Sequence, residues 1–250
     1  MSGHSKWSTI KRKKGAADAK RGRIFTKLIK EITVAAREGG GDPEANPRLR
    51  TAVDNAKAQN MPSDNIDKAV KRGTGELEGV SYVRVTYEGY GPGGVALFIE
   101  CLTDKENRTV ASIRHLLTKH GGNLGKDGSV AWMFDSKGQI LVDATRHDPE
   151  AVMLAAIDAG AEDVREDGGQ LRVVCEPADL GAVREALEGA GVEIESADVT
   201  MEPKNTVLVK GTEAEWLLKL VDTLEEHDDV DSVHANFDVP EEILAKLAAA

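Results

Sequence analysis

The chain has 250 residues, a formal net charge of −11, 40% hydrophobic residues and 4% aromatic ones. That length suits about two domains of ~100–150 residues each, and without a run of ~18 apolar residues it predicts no membrane span. The polar, basic start predicts no secretory leader, and two cysteines 74 positions apart form neither a metal motif nor a disulfide framework, so a reduced cytoplasmic setting is expected.

The opening 22 residues mix glycines and scattered bases with little apolar periodicity, which predicts a loosely ordered arm. Helical spacing then begins, with Phe25, Leu28, Ile29, Ile32 and Ala36 on one face and Arg23, Lys27, Lys30 and Arg37 on another. Gly39-Gly40-Gly41 ends that helix. Asn46 followed by Pro47 is an N-cap with proline at the first helical position, and Leu49, Ala52, Val53 and Ala56 form the stripe of a second helix. Pro62 breaks it, and Ser63 or Asp64 is expected to cap a third helix carrying Ile66, Ala69 and Val70.

Beyond Gly79 the period changes. Val83, Val85 and Tyr87 alternate with polar neighbours as in a half-buried strand, Gly89 to Gly94 is a turn, and Val95 to Cys101 is the second arm of a hairpin. A helix with Val110, Ile113, Leu116 and Leu117 follows, then the Gly121-Gly122-Asn123 stop, then a strand over Val130–Phe134. Strands over Gln139–Asp143, Asp163–Glu166, Leu171–Glu176 and Val192–Met201 alternate with helices near Pro149–Ala159 (Val152, Met153, Ala156, Ile157) and Pro177–Gly189. That β-α-β-β-α-β order is the split β-α-β, ferredoxin-like signature. The tail adds a helix with the stripe Trp216, Leu217, Leu220, Val221 and Leu224, a strand over Val230–Val239 and an alanine-rich terminal helix over 241–250.

The expected fold class is α+β: a small N-terminal helical domain followed by two ferredoxin-like α/β domains, the third inserted into the second. The boundaries are 1–75 for the helical domain with its basic arm, 76–137 with 204–250 for a discontinuous middle domain, and 138–203 for the insert. The tail supplies the helix and strand that the β-β-α-β unit lacks.

Charge is distributed unevenly over these parts. Residues 1–30 carry ten bases and one acid, a net +9; residues 31–75 are balanced; the remaining 175 residues hold −20. Such asymmetry points to a nucleic acid or another anionic surface. The contact residues expected are Lys6, Trp7, Lys11, Arg12, Lys13, Lys14, Lys20, Arg21, Arg23, Lys27 and Lys30, with Trp7 placed to stack on a base among the phosphate contacts. Lysine-rich clusters position a protein on phosphates and read little sequence, and no recognition-helix pattern or zinc finger accompanies them.

The opening Ser2-Gly3-His4-Ser5-Lys6-Trp7, the run Ile10 to Lys14, Asp18, Arg21, Phe25 to Leu28 and Lys30 to Ile32 resemble the signature of the YebC/PmpR family. So do Tyr87 to Ala96, Thr103-Asp104 with Asn107-Arg108-Thr109, and Gly121 to Gly125 leading to Gly128-Ser129-Val130. The resemblance spans the whole chain. It implies three domains, the second and third α/β, and no enzymatic chemistry. It also implies one of two roles. One branch of the family is similar to DNA-binding transcriptional regulators, some acting on quorum-sensing genes. Another, with the mitochondrial translational activator of cytochrome oxidase, acts on ribosomes and helps synthesis through proline-rich stretches.

Other candidate chemistry is weaker. The Gly91-Pro92-Gly93-Gly94 turn lacks the Lys-Ser/Thr of a phosphate-binding loop and reads as a hairpin turn, although its amides could cradle an anion. Gly121 to Lys126 reads as a helix stop that could also accept an anion. Tyr82, Tyr87 and Tyr90 could form a stacking platform, but Tyr87 falls on the core face. The six histidines show no metal-ligand spacing, Asp228, Asp229 and Asp231 form an acidic turn without the glycine and distal glutamate of a calcium loop, and no serine or cysteine has a readable base partner. The sequence therefore predicts a non-enzymatic, nucleic-acid-binding regulator of gene expression. It needs no cofactor, metal, membrane or small-molecule substrate. Its target is DNA in the transcriptional reading, and ribosomal RNA, with the ribosome as partner, in the alternative.

Overall fold

The computed structural model of the chain describes residue 7 and residues 18–167, 169–240 and 242–243. Three helices come first: α1 (Asp18–Gly39), α2 (Pro47–Ala58) and α3 (Ser63–Gly73). Ile32, Ala35 and Ala36 of α1 bury against Leu49, Ala52, Val53 and Ala56 of α2 and Ile66 and Ala69 of α3, with Phe25, Leu28 and Ile29 packed at the margin. This is the face that the helical period picks out. Asn46 caps α2, its Oδ1 accepting from the Leu49 amide at 3.1 Å, while its side-chain amide donates to the carbonyls of Ala35 and Gly40, both at 2.8 Å. One side chain thus joins the end of α1 to the start of α2. At α3 the cap position is Pro62, with no side-chain cap, so neither Ser63 nor Asp64 has the expected role. The helices α1 and α3 meet at Gly73, where a Cβ would lie 2.4 Å from the Thr33 carbonyl oxygen and 2.7 Å from the Ala36 Cβ. Only glycine permits that approach.

Two four-stranded antiparallel sheets follow. The first has the order β3-β1-β2-β9, built from β1 (Val83–Tyr90), β2 (Ala96–Thr103), β3 (Asn123–Leu124) and β9 (Val230–Ala235). The hairpin β1–β2 runs from the pair Val83/Thr103 to the pair Tyr90/Ala96. Helices α4 (Glu106–Lys119) and α7 (Gly211–Glu225) cover one face, burying Ile113, Leu117, Leu217, Leu220, Val221 and Leu224 against Leu97, Ile99 and Cys101. The opposite face of β2 presents Ala96 and Phe98 to Val130 and Phe134. With both faces covered, β2 is a near-continuous apolar run.

The second sheet has the order β5-β6-β4-β7, from β4 (Phe134–Asp143), β5 (Asp163–Asp167), β6 (Gln170–Cys175) and β7 (Ile194–Pro203). Its helices are α5 (Pro149–Asp158) and α6 (Leu180–Gly189). Here the order is that of the split β-α-β. The first sheet reaches a two-layer form by a different route, with its hairpin strands side by side at the centre. The chain leaves the first sheet, builds the second and returns to add α7 and β9. A short parallel pair, β8 (Val207–Leu208) and β10 (Phe237–Asp238), closes the return.

Three local expectations need correction. Residues 131–133 form a 3₁₀ turn, not a strand, and the strand expected from Gln139 begins at Phe134. In α5 only Val152 and Ala156 are buried, while Met153 and Ile157 are exposed. In α7 Trp216 is also exposed. The terminal helix expected over 241–250 lies outside the described residues apart from 242–243. Among the described residues, no helix is long and apolar enough to cross a membrane.

Candidate nucleic-acid interface

Of the contact residues expected from the sequence, Lys6, Lys11, Arg12, Lys13 and Lys14 lie outside the described residues, as do the side chains of Lys20 and Arg21. The other four are placed: Trp7 and Lys30 are buried, Lys27 is half-buried and Arg23 is exposed. Trp7 is 7% exposed, packed in the core beside α7, and its indole nitrogen donates to Asp222 Oδ1 at 2.9 Å. A ring so covered anchors the arm's start to the body and offers no face to a base. Lys30 is buried: its Nζ donates to Asp229 Oδ1 at 3.0 Å, the Asp228 carbonyl at 2.8 Å and the Leu102 carbonyl at 3.3 Å, and it lies 5.3 Å from the centre of the Tyr82 ring. Lys27 donates to the Glu225 carbonyl at 2.7 Å, and Arg23 lies 3.7 Å from Glu226. The carbonyls at the end of α7 carry partial negative charge, which suits these cations. The basic face of α1 is therefore turned onto the acidic end of α7, with Trp7 and Lys30 buried in the junction.

Asp229 is the centre of that junction. It accepts from Lys30 on one oxygen and from Arg108 and Thr109 on the other, at 2.8 and 2.9 Å. Burial alone would raise its pKa. The hydrogen bonds from Arg108, Lys30 and Thr109 overcome that and hold it down to about 2. Further out, Arg84 bridges Glu31 of α1 at 2.8 Å and Glu100 of β2 at 3.1 Å, and Arg37 reaches Ser81 and the Tyr82 carbonyl. The helical unit also meets the second sheet, through Asn55 to Asp198 at 2.6 Å and Arg184 to Asp54 at 3.1 Å.

The other candidates resolve one by one. The loop after β3 holds an anion, but the anion is its own: the amides of Gly128, Val130 and Ala131 donate to the Glu88 carboxylate at 2.6, 2.6 and 2.8 Å. These bonds hold the Glu88 carboxyl below its ordinary range against the upward push of burial. The three tyrosines do not converge. Tyr82 faces Lys30, Tyr87 donates weakly to the Glu106 carbonyl at 3.4 Å, and Tyr90 donates to the Ser129 carbonyl at 3.0 Å.

Sequence reading missed one constellation, Ser232, His234 and Glu100. The Ser232 hydroxyl lies 2.7 Å from Glu100 Oε2 and 3.1 Å from His234 Nε2, which lies 3.0 Å from the same carboxylate oxygen. The signal was there in the two-residue spacing on β9 and its pairing with β2. A nucleophile relay needs the acid on one ring nitrogen and the hydroxyl on the other. Here both crowd Nε2, and Nδ1 faces Thr200 at 3.4 Å. The cluster is a half-buried polar seam. Burial drives the thiols of Cys101 and Cys175 up to about 12 and about 11, which makes both poor nucleophiles. Among the described residues, no group of three or more His, Cys, Asp or Glu side chains gathers as a metal site.

An open cleft of about 530 Å³ remains, on the body. It is lined by the Tyr90–Gly94 turn, by His120, Gly121 and Asn123 after α4, and by Thr212, Glu213 and Trp216 on the first turns of α7. Gly122 brings two of these segments together, since a Cβ there would lie 2.4 Å from the Tyr90 carbonyl oxygen.

Comparison with known proteins agrees with this architecture. Residues 5–76 match the family model for the TACO1/YebC protein N-terminal domain, and residues 82–237 match that for the TACO1/YebC second and third domain. A protein of Geobacter sulfurreducens named "probable transcriptional regulatory protein" is 59% identical over 247 residues, covering 99% of this chain and 100% of its own. One of the same name from Syntrophus aciditrophicus is 57% identical over 250 residues, the full length of both. The crystal structure of a conserved hypothetical protein from Aquifex aeolicus, 50% identical, matches with a TM-score of 0.86 over 91% of this chain and 94% of that one. The chain belongs to the TACO1/YebC family.

Proposed function

We propose that this chain is a non-enzymatic, DNA-binding regulator of transcription whose contact with nucleic acid is carried by its basic N-terminal arm. The observation that carries this reading is the charge partition: +9 in the first 30 residues on a chain whose last 175 hold −20. Each phosphate neutralised by lysine or arginine releases counterions, so several contacts give affinity without base reading. The names of the relatives from Geobacter and Syntrophus support a transcriptional role. With Arg23, Lys27 and Lys30 engaged by the body, the phosphate contacts fall to Lys6, Lys11, Arg12, Lys13, Lys14, Lys20 and Arg21. The cytoplasm is the compartment where such a target and two free thiols coexist.

A second reading, ribosomal RNA on the ribosome, draws on one observation. Trp132 and Trp216 are 63% and 52% exposed, and large exposed aromatics suit the unstacked bases of folded RNA better than a closed duplex. Deleting residues 2–22 tests the arm, since the deletion should leave the α/β sheets folded and remove most affinity. Gel shift on duplex DNA and cosedimentation with ribosomes, both over a salt series, then separate the targets. Ribosome binding that persists at salt abolishing the duplex shift would replace the promoter reading with the ribosomal one.

A further inference from the structure

The cleft beside α7 is lined by none of Trp7, Arg23, Lys27 and Lys30. The indole nitrogens of Trp7 and Trp132 are both satisfied, by Asp222 at 2.9 Å and by the Ser129 carbonyl at 3.1 Å. That of Trp216 has no hydrogen-bond partner among the described residues, and the ring is half exposed at the cleft wall. An aromatic with an open face and an open donor is the kind of group that interfaces use. On α7 the exposed Trp216 shares its arc with Thr212 and Lys219, one turn to either side. Across the cleft stands His120, next to Lys119. Lys119 directly precedes His120, and Lys219 lies one turn beyond Trp216 on α7; burial and the positive charges of both lysines lower the His120 pKa. Lys119 and Lys219 are exposed and form no ion pair among the described residues, as is also true of Lys105, Arg114, Lys126 and Lys210 on the body; what sets the two apart is their place beside His120 and Trp216.

Charge and shape together select the ligand. Two such lysines on a body of net −20 are complementary to a polyanion. One wall is the Tyr90–Gly94 turn, open at Gly94, where an added Cβ would meet nothing within 4 Å, and the volume is that of a small-molecule site. The turn has no lysine and leads into β2, not into a helix, so it is not a nucleotide-phosphate loop. A duplex keeps its bases stacked and out of reach. A single strand has a free base face for the indole, an exocyclic edge for Asn123 and Glu213, and phosphates on either side.

We propose that this cleft holds an unpaired nucleobase of a single-stranded nucleic acid, stacked on Trp216, with the flanking phosphates on Lys119 and Lys219. It is a second contact, and it rests on the reading that the chain binds nucleic acid. The experiment uses the full-length chain, a uridine decamer and a duplex of the same length, followed by tryptophan fluorescence and by competition. Binding of the decamer should quench fluorescence, and Trp216→Ala should remove the quench and weaken decamer binding about tenfold or more, while Trp216→Phe keeps most of the affinity. Duplex affinity should change far less than decamer affinity in Trp216→Ala. Replacing Lys119 and Lys219 by glutamine should lower the salt slope for the decamer by about 0.7 for each phosphate no longer neutralised. Trp216 is at the surface, so circular dichroism is expected to show an unchanged fold. If Trp216→Ala binds the decamer as tightly as the parent while deletion of residues 2–22 abolishes binding, the cleft is not a base site and the arm reading stands. A parent chain that binds neither decamer nor duplex overturns both.

Discussion

Asp229 is the buried carboxylate at the centre of the junction between the basic helix and the body. Its side chain and that of Lys30 are 7% and 8% exposed, so the pair is out of water and is reinforced by Thr109 and Arg108. Replacing a buried pair with apolar groups can be neutral, but removing one partner strands the other charge. Asp229→Ala leaves the Lys30 ammonium with only two carbonyls, and we expect it to lose about 3–5 kcal/mol of unfolding free energy at pH 7. The pH dependence follows from the depressed pKa. The native carboxyl titrates near 2 against an ordinary 3.8, so its contribution is complete above about 4 and vanishes as pH falls toward 2. Urea titrations of parent and variant should therefore draw closer by about 2 kcal/mol between those limits, the remaining gap being lost packing and the stranded Lys30. A gap that stays constant down to pH 2 would assign the loss to packing and not to charge. Trp7 belongs to the same junction, and its anchoring was not legible in the sequence. A tryptophan among lysines reads as a stacking residue until its partner, Asp222, is known to lie beside it.

Secondary elements were legible where one periodicity ruled and failed where a distant side chain overrode it. The hairpin β1–β2, the split β-α-β sheet and the return of β9 all follow from period and order. The stripe expected on α7 is only partly the buried one. Ala214 and Leu218 also turn inward, which moves the centre of the buried arc away from Trp216 and exposes it. The strand expected over Val130–Phe134 is a turn because the amides of Val130 and Ala131 are taken by Glu88, from another strand, and cannot join a ladder. That explanation is open to test. Glutamine at position 88 keeps one acceptor oxygen and adds an NH₂ that faces backbone N–H groups. With Glu88 itself buried, Glu88→Gln should cost about 1–3 kcal/mol, the range for a buried donor left unsatisfied. Amide exchange should quicken at Gly128, Val130 and Ala131 while that of the β1–β2 hairpin is unchanged. Uniform acceleration across the molecule would mean that Glu88 supports the whole fold and not this turn.

Across the whole molecule the net charge of −11 conceals two opposed parts, and the structure divides the basic part again. Lys27 and Lys30 are held by carbonyls and a buried carboxylate of the body, whereas Arg23 makes only an exposed pair with Glu226. In the proposed function the cations before them meet the phosphates. Salt dependence distinguishes the two groups without any knowledge of the target sequence, because each phosphate contact contributes about 0.9 to the slope of log affinity against log salt on duplex DNA. Changing Lys11, Arg12, Lys13 and Lys14 together to glutamine should reduce that slope by about 3 to 4, with thermal stability unchanged. Changing Lys27 and Lys30 to glutamine should do the reverse, lowering stability because Asp229 is deprived of its ammonium partner and leaving the slope near its parent value. If the second pair instead flattened the slope as much as its two charges allow, the helix would have to leave the body on binding, and the contact between α1 and α7 would be a closed state that nucleic acid opens.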